Sequence, residues 1–231
     1  TYTVTSTTST YGSLPSLGTL SLSGVLPSDL NNVTASVTAL NANGSALALA
    51  TNTPAGNYAQ QASNLSGSAA SNYVLASSGN SQGTLTVTPA TLTYAVANAT
   101  STYGTAPVLG NATLTGVLFT DAVTPNVRLA SGNVSVTVAA NTPAGNYTQL
   151  VTSLSGAAAS NYQIASTGNT VGTLSVNPAT LTYTVANATS TYGTSPTLGN
   201  VTFSGLYSTD TVGATLGISN GNGSVSIATN T

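Results

Sequence analysis

The sequence predicts an all-β chain of tandem antiparallel β-sandwich modules, immunoglobulin-like and about 90 residues each. Three observations predict it. Long stretches recur at a fixed offset, apolar residues alternate with period two, and turn-forming residues punctuate the chain at hairpin distances.

Repetition is the firmest of the three. Ser-Thr-Tyr-Gly occurs at Ser9–Gly12, Ser101–Gly104 and Ser190–Gly193, so its tyrosines lie 92 and 89 residues apart. Asn-Thr-Pro-Ala-Gly-Asn-Tyr occurs at Asn52–Tyr58 and again, 89 residues on, at Asn141–Tyr147. The stretch from Gly83 (GTLTVTPATLTYAVANATSTYGT) returns nearly unchanged from Gly172. A unit this long suits a small domain rather than a solenoid rung. Pro89 and Pro178 mark the boundaries, since proline cannot donate a ladder hydrogen bond and closes one strand before the next begins. The modules are 1–88, 89–177 and 178–231. The third stops before its own Pro-Ala-Gly-Asn-Tyr, and the expectation is a chain that continues or a neighbouring chain that supplies the strands.

Alternation places the strands. Leu92, Tyr94 and Val96 alternate with small or polar residues, as do Val134, Val136 and Val138. Leu85 and Val87 return as Leu174 and Val176. No segment carries a helical apolar face, and the Thr and Val content favours strands. Gly, Asn and Pro clusters such as Gly79–Gly83 supply the turns. Six or seven strands per module follow.

Composition restricts the chemistry. The ionisable side chains besides tyrosine are Asp29, Asp121, Asp210 and Arg128; Lys, Glu, His, Cys, Met and Trp are absent. Side-chain catalysis needs a group titrating near neutrality, an activated nucleophile or a metal, so the sequence predicts a chain that is not an enzyme and binds no cofactor or metal. One arginine cannot supply the phosphate contacts of nucleic-acid binding, and no apolar run approaches the roughly 20 residues of a membrane span. Without cysteine, stability must come from burial in each module.

The order of motifs resembles the MBG and YDG repeat modules of bacterial filamentous-haemagglutinin-like surface adhesins. A Tyr-Gly turn is followed by Gly-Val or Gly-Leu ahead of an aspartate loop. Pro-Ala-Gly-Asn-Tyr comes next, then Asn-Tyr-x-Ile, then Gly-Thr-Leu-x-Val-x-Pro-Ala; module two matches from Leu92 through Val176. The resemblance implies an extracellular, cell-surface protein without enzymatic activity. The function expected is the structural repeat region of a long secreted filament or adhesin stalk; the alternative is an adhesive module recognising a glycan or host protein. Its partners would be further copies of the same repeat and covalent glycans.

Three sets of residues are candidates for more than packing. Asp29, Asp121 and Asp210 are equivalent across the repeats. A lone carboxylate per module is better suited to capping a turn than to holding calcium, which takes several oxygens. The tyrosines recur in register, Tyr2 with Tyr94 and Tyr183, Tyr58 with Tyr147, Tyr73 with Tyr162. Core packing is expected of them rather than sugar stacking, with Tyr147 as a tyrosine corner. Ten Asn-x-Ser/Thr sequons are candidate glycosylation sites: Asn32, Asn43, Asn64, Asn98, Asn111, Asn133, Asn146, Asn187, Asn200 and Asn222.

Overall fold

A computed structural model describes residues 1–227. The chain is all-β. Its only helical elements among the described residues are three short 3-10 turns, Pro27–Asp29, Ala70–Asn72 and Ala159–Asn161. The chain divides into two compact units that do not follow the repeat period. One holds Thr1–Ala97, Asn111–Arg128 and Leu150–Val171; the other holds Asn98–Gly110, Leu129–Gln149 and the chain from Gly172 onward.

In the first repeat the strands are β1 (Tyr2–Val4), β2 (Thr7–Thr10), β3 (Leu20–Leu22), β4 (Thr34–Leu40), β5 (Gly56–Ser66) and β6 (Gly83–Thr88). In the second they are β7 (Ala90–Val96), β8 (Ala99–Thr102), β9 (Ala112–Thr115), β10 (Thr124–Ser131), β11 (Val134–Val136), β12 (Gly145–Ser155), β13 (Tyr162–Ile164) and β14 (Gly172–Asn177). The third contributes β15 (Thr182–Val185), β16 (Val201–Ser204), β17 (Ile218–Ser219) and β18 (Ser224–Val225).

The first unit contains a four-stranded sheet in the order β2-β6-β5-β4. β4 and β6 flank β5 antiparallel, with Tyr58 opposite Leu85, whereas β2 runs parallel to β6, with Thr7 opposite Leu85 and Thr10 opposite Thr88. β1 pairs with β3, and β7 lies between β13, parallel to it, and β9, antiparallel. The second unit repeats the parallel pairing, β8 against β14. These parallel pairs correct the expectation of purely antiparallel sheets. Alternation reports which face a residue takes, not strand direction. A long excursion separates β2 from β6, so no hairpin forces them to run opposite ways.

The alternation is realised in β7 but not in β11, where Val134 is 70 % exposed and Val138 lies beyond the strand. Leu92, Tyr94 and Val96 are all buried on one face of β7. Tyr2, Val4 and Ala62 form one core cluster with Leu20, Leu22, Val37 and Leu75 around it. The equivalent residues Tyr94, Val96 and Val151 form another, with Ala112, Leu114 and Ile164 around it. Where the second repeat exchanges Ala62 for Val151, it exchanges Leu20 for Ala112, so filling is roughly conserved within each cluster. A third cluster explains why the first unit overruns Pro89. It joins Tyr11, Ala39, Leu85 and Val87 of the first repeat to Ala90, Leu92 and Tyr162 of the second. In the second unit Leu129, Leu174 and Val176 form a core with Ala99, Tyr103 and Tyr147 against it.

No helix among the described residues is long and apolar enough to cross a membrane.

Candidate functional site

The aspartates are placed by the same turn in every repeat. Each closes it through its own amide, Asp29 N–H to Leu26 O, Asp121 N–H to Leu118 O and Asp210 N–H to Tyr207 O. Their carboxylates face tyrosines rather than their own backbone. Asp29 Oδ2 accepts from the Tyr73 hydroxyl at 2.8 Å. Asp121 Oδ2 accepts from two, Tyr162 of its own repeat at 2.6 Å and Tyr11 of the preceding repeat at 2.8 Å. The Tyr162 hydroxyl in turn accepts the Leu118 amide at 2.9 Å. In the second unit Tyr103 donates to Asp210 Oδ1 at 3.1 Å.

This geometry accounts for the Tyr-Gly pair. Tyr11 stands edge-on to Tyr162 and Phe119, at centroid distances of 5.4 and 5.7 Å, and Tyr103 does the same to Tyr207. Such pairs add to the stabilisation that ring burial alone supplies. Gly12 follows with φ +98°, and a Cβ there would sit 2.4 Å from Leu118 Cδ1. Glycine provides both the left-handed conformation and the clearance. A further bond ties the two repeats: Ala55 N–H donates to Asn161 Oδ1 at 2.9 Å. The Tyr-Gly, Pro-Ala-Gly and Ser-Asn-Tyr motifs, scattered through the sequence, thus converge on one junction. Tyr11 is 5 % exposed there, while its third-repeat equivalent Tyr192 is 82 % exposed.

Burial, and then the bond to Asp121, pushes the Tyr11 phenol up to about 12. Tyr162 is raised by the same two causes, and Tyr103 mainly by its bond to Asp210. A phenol with a raised folded pKa stabilises the fold fully below its unfolded value near 10, and that contribution disappears as pH rises through the folded value. Thermal stability is therefore expected to fall between about pH 10 and 12, and Tyr11→Phe to flatten the decline. A melting temperature that holds steady across that window would contradict the Tyr11–Asp121 bond.

Packing holds most of the remaining tyrosines. Tyr2 and Tyr94 are buried, although Tyr183 is 68 % exposed. Tyr147 donates to Pro143 O at 2.7 Å, and Tyr58 to Pro54 O at 2.9 Å, the back-bond of a tyrosine corner. Among the described residues no three potential metal-ligating side chains come together.

The ten sequon asparagines, Asn32, Asn43, Asn64, Asn98, Asn111, Asn133, Asn146, Asn187, Asn200 and Asn222, are all exposed. They are spread along both units and form no single cluster of motif positions. Asn64 is the extra residue of a β-bulge in β5, where pairing skips from Leu65 to Ser63, and it takes φ 44°. Asparagine tolerates that conformation better than most residues. Asn98 and Asn146 already accept hydrogen bonds, from Thr173 N–H and Ser175 Oγ.

Two repeated polar clamps have no counterpart in the sequence reading. Gln60 and Gln149, both fully buried, accept the Gly18 and Gly110 amides at 2.7 Å. Asn80 and Asn169 accept the Tyr2 and Tyr94 amides and donate back to Ala76 O and Ala165 O. Their signal was retention at the repeat offset despite being polar within strand-rich sequence.

No family of known proteins, no curated protein and no solved structure matches the chain.

Proposed function

We propose that this chain is a structural repeat region of a long, secreted cell-surface filament or adhesin stalk, built from sandwich-like modules of the MBG/YDG kind and without enzymatic activity. The observation that carries the reading is Asp121, whose one carboxylate oxygen accepts hydroxyls from both its own repeat and the preceding one. A carboxylate used this way is a mechanical part: it couples neighbours along the chain. The apolar cluster through Leu85, Ala90, Leu92 and Tyr162 supports the same reading, because it replaces a flexible linker by shared core. Exposed sequons would let glycans supply the solubilising layer that charge does not, the net charge being only −2.

The test is location. Antibodies raised against the purified chain are expected to label intact cells of the organism that makes it, and external protease to remove the label. Labelling only after permeabilisation would rule out the surface filament. Binding of the purified chain to immobilised glycans at micromolar concentration would instead favour an adhesive module.

A further inference from the structure

The second unit contains a cavity of 380 Å³ whose lining includes Tyr103, Pro143, Ala179, Leu181, Tyr207 and Asp210. Each of these has an equivalent at the first junction: Tyr11, Pro54, Ala90, Leu92, Leu118 and Asp121. There the corresponding space is filled. Tyr162 lies against Tyr11, Ala90 and Leu92, itself only 6 % exposed, and β13 pairs in parallel with Ala90–Leu92 of β7. Among the described residues no strand pairs with Ala179–Leu181, and Tyr103, Ala179 and Leu181 are left half-buried.

We propose that this cavity is a binding socket for a tyrosine-bearing strand of the repeat's own Ser-Asn-Tyr-x-Ile type. The filled junction specifies three points of recognition. The incoming phenol donates to Asp210, as Tyr162 does to Asp121, and accepts the Tyr207 amide, as Tyr162 accepts that of Leu118. The asparagine before it accepts the Ala144 amide, as Asn161 accepts that of Ala55. The strand backbone adds in parallel to Ala179–Leu181, as β13 adds to β7, which is recognition by strand addition. Asp210 is suited to this because Tyr103 engages Oδ1, whereas both phenols at Asp121 share Oδ2. The ring meets an apolar wall, and the polar groups set register and orientation. A free peptide of this type carries the same chemistry.

The proposal deepens the filament reading and rests on it for its choice of ligand. Surface labelling tests that reading without involving the socket, so either can fail alone. A fluorescent peptide of the sequence Ala158–Gly168 is titrated with the whole chain and followed by anisotropy. Saturable binding is expected, weakened at least about tenfold when the peptide carries Tyr162→Ala, and by less when it carries Tyr162→Phe. In the chain, Asp210→Ala should weaken the parent peptide but make little difference to the Tyr162→Phe peptide, since the bond is then already lost. Asp29→Ala, far along the sequence, should leave binding unchanged. Because the peptide substitutions do not alter the protein, a misfolded Asp210 variant cannot decide the outcome. Equal binding by the parent and Tyr162→Ala peptides, or none by either up to about 1 mM, would overturn the socket.

Discussion

Asp121→Ala is expected to destabilise the first unit by about 2–3 kcal/mol, and Asp29→Ala by about half as much. The two aspartates occupy the same turn, but Asp29 holds one phenol and Asp121 holds two. A hydrogen bond to a charged group contributes about 1.5–3 kcal/mol. Two donors on one oxygen of a half-buried aspartate will not sum, and solvent screens part of the charge. The substitution also strands partners unequally. Tyr162 keeps its contacts with the Leu118 backbone, whereas the hydroxyl of the buried Tyr11 loses its acceptor. Tyr11→Phe, which retains the ring and its edge-on contacts, should cost about 1 kcal/mol. A double-mutant cycle between positions 11 and 121, read by urea denaturation, should then give a coupling of at least about 0.5 kcal/mol. Equal losses for Asp121→Ala and Asp29→Ala would mean that the bond from the preceding repeat contributes nothing.

Much of this was legible in the sequence, and the boundary of legibility has physical causes. Alternation at Leu92, Tyr94 and Val96 identified a buried strand face correctly because period two is imposed by the pleat, whatever the strand pairs with. Direction is imposed by connection and register, which alternation does not record; hence the parallel pairs β2–β6, β7–β13 and β8–β14 differed from the expected hairpin-like arrangement. The sequence shows the Asp and Tyr positions to be equivalent across repeats, but it does not show their partnership. Tyr11 and Asp121 are 110 residues apart, and the bond joins different repeats, so no local spacing announces it. The equivalence of Asp29, Asp121 and Asp210 points, in the sequence alone, to turn capping. The turn is there, closed by the aspartate amide, and it frees the carboxylate for a neighbour.

Gln60 carries the other large expected effect. Its side chain is fully buried in β5, an apolar setting that penalises any unpaired polar atom. Oε1 accepts the Gly18 amide at 2.7 Å, and Nε2 reaches Thr5 O and Thr7 Oγ1 at 3.4 and 3.3 Å. The amide thereby ties β5 to the segment between β1 and β3, where backbone crowds so closely that a Cβ on Gly18 would fall 1.8 Å from Thr5 O. Removing the amide leaves the Gly18 N–H without the acceptor it has in the fold. Gln60→Leu, which nearly preserves volume, is expected to cost about 2 kcal/mol from the orphaned polar groups alone. Gln60→Ala adds a cavity and should reach about 3–4 kcal/mol. Gln82→Ala is the control: its bond to Gln61 is solvent-exposed, and its loss should stay within about 0.5 kcal/mol. The ordering Ala, then Leu, then the control, measured by urea denaturation, separates packing from polar pairing. Should Gln60→Leu prove as harmless as Gln82→Ala, the buried amide would be a filler of space, and the register of the Gly18 segment would have to be held by the bonds between Thr5 and Thr19.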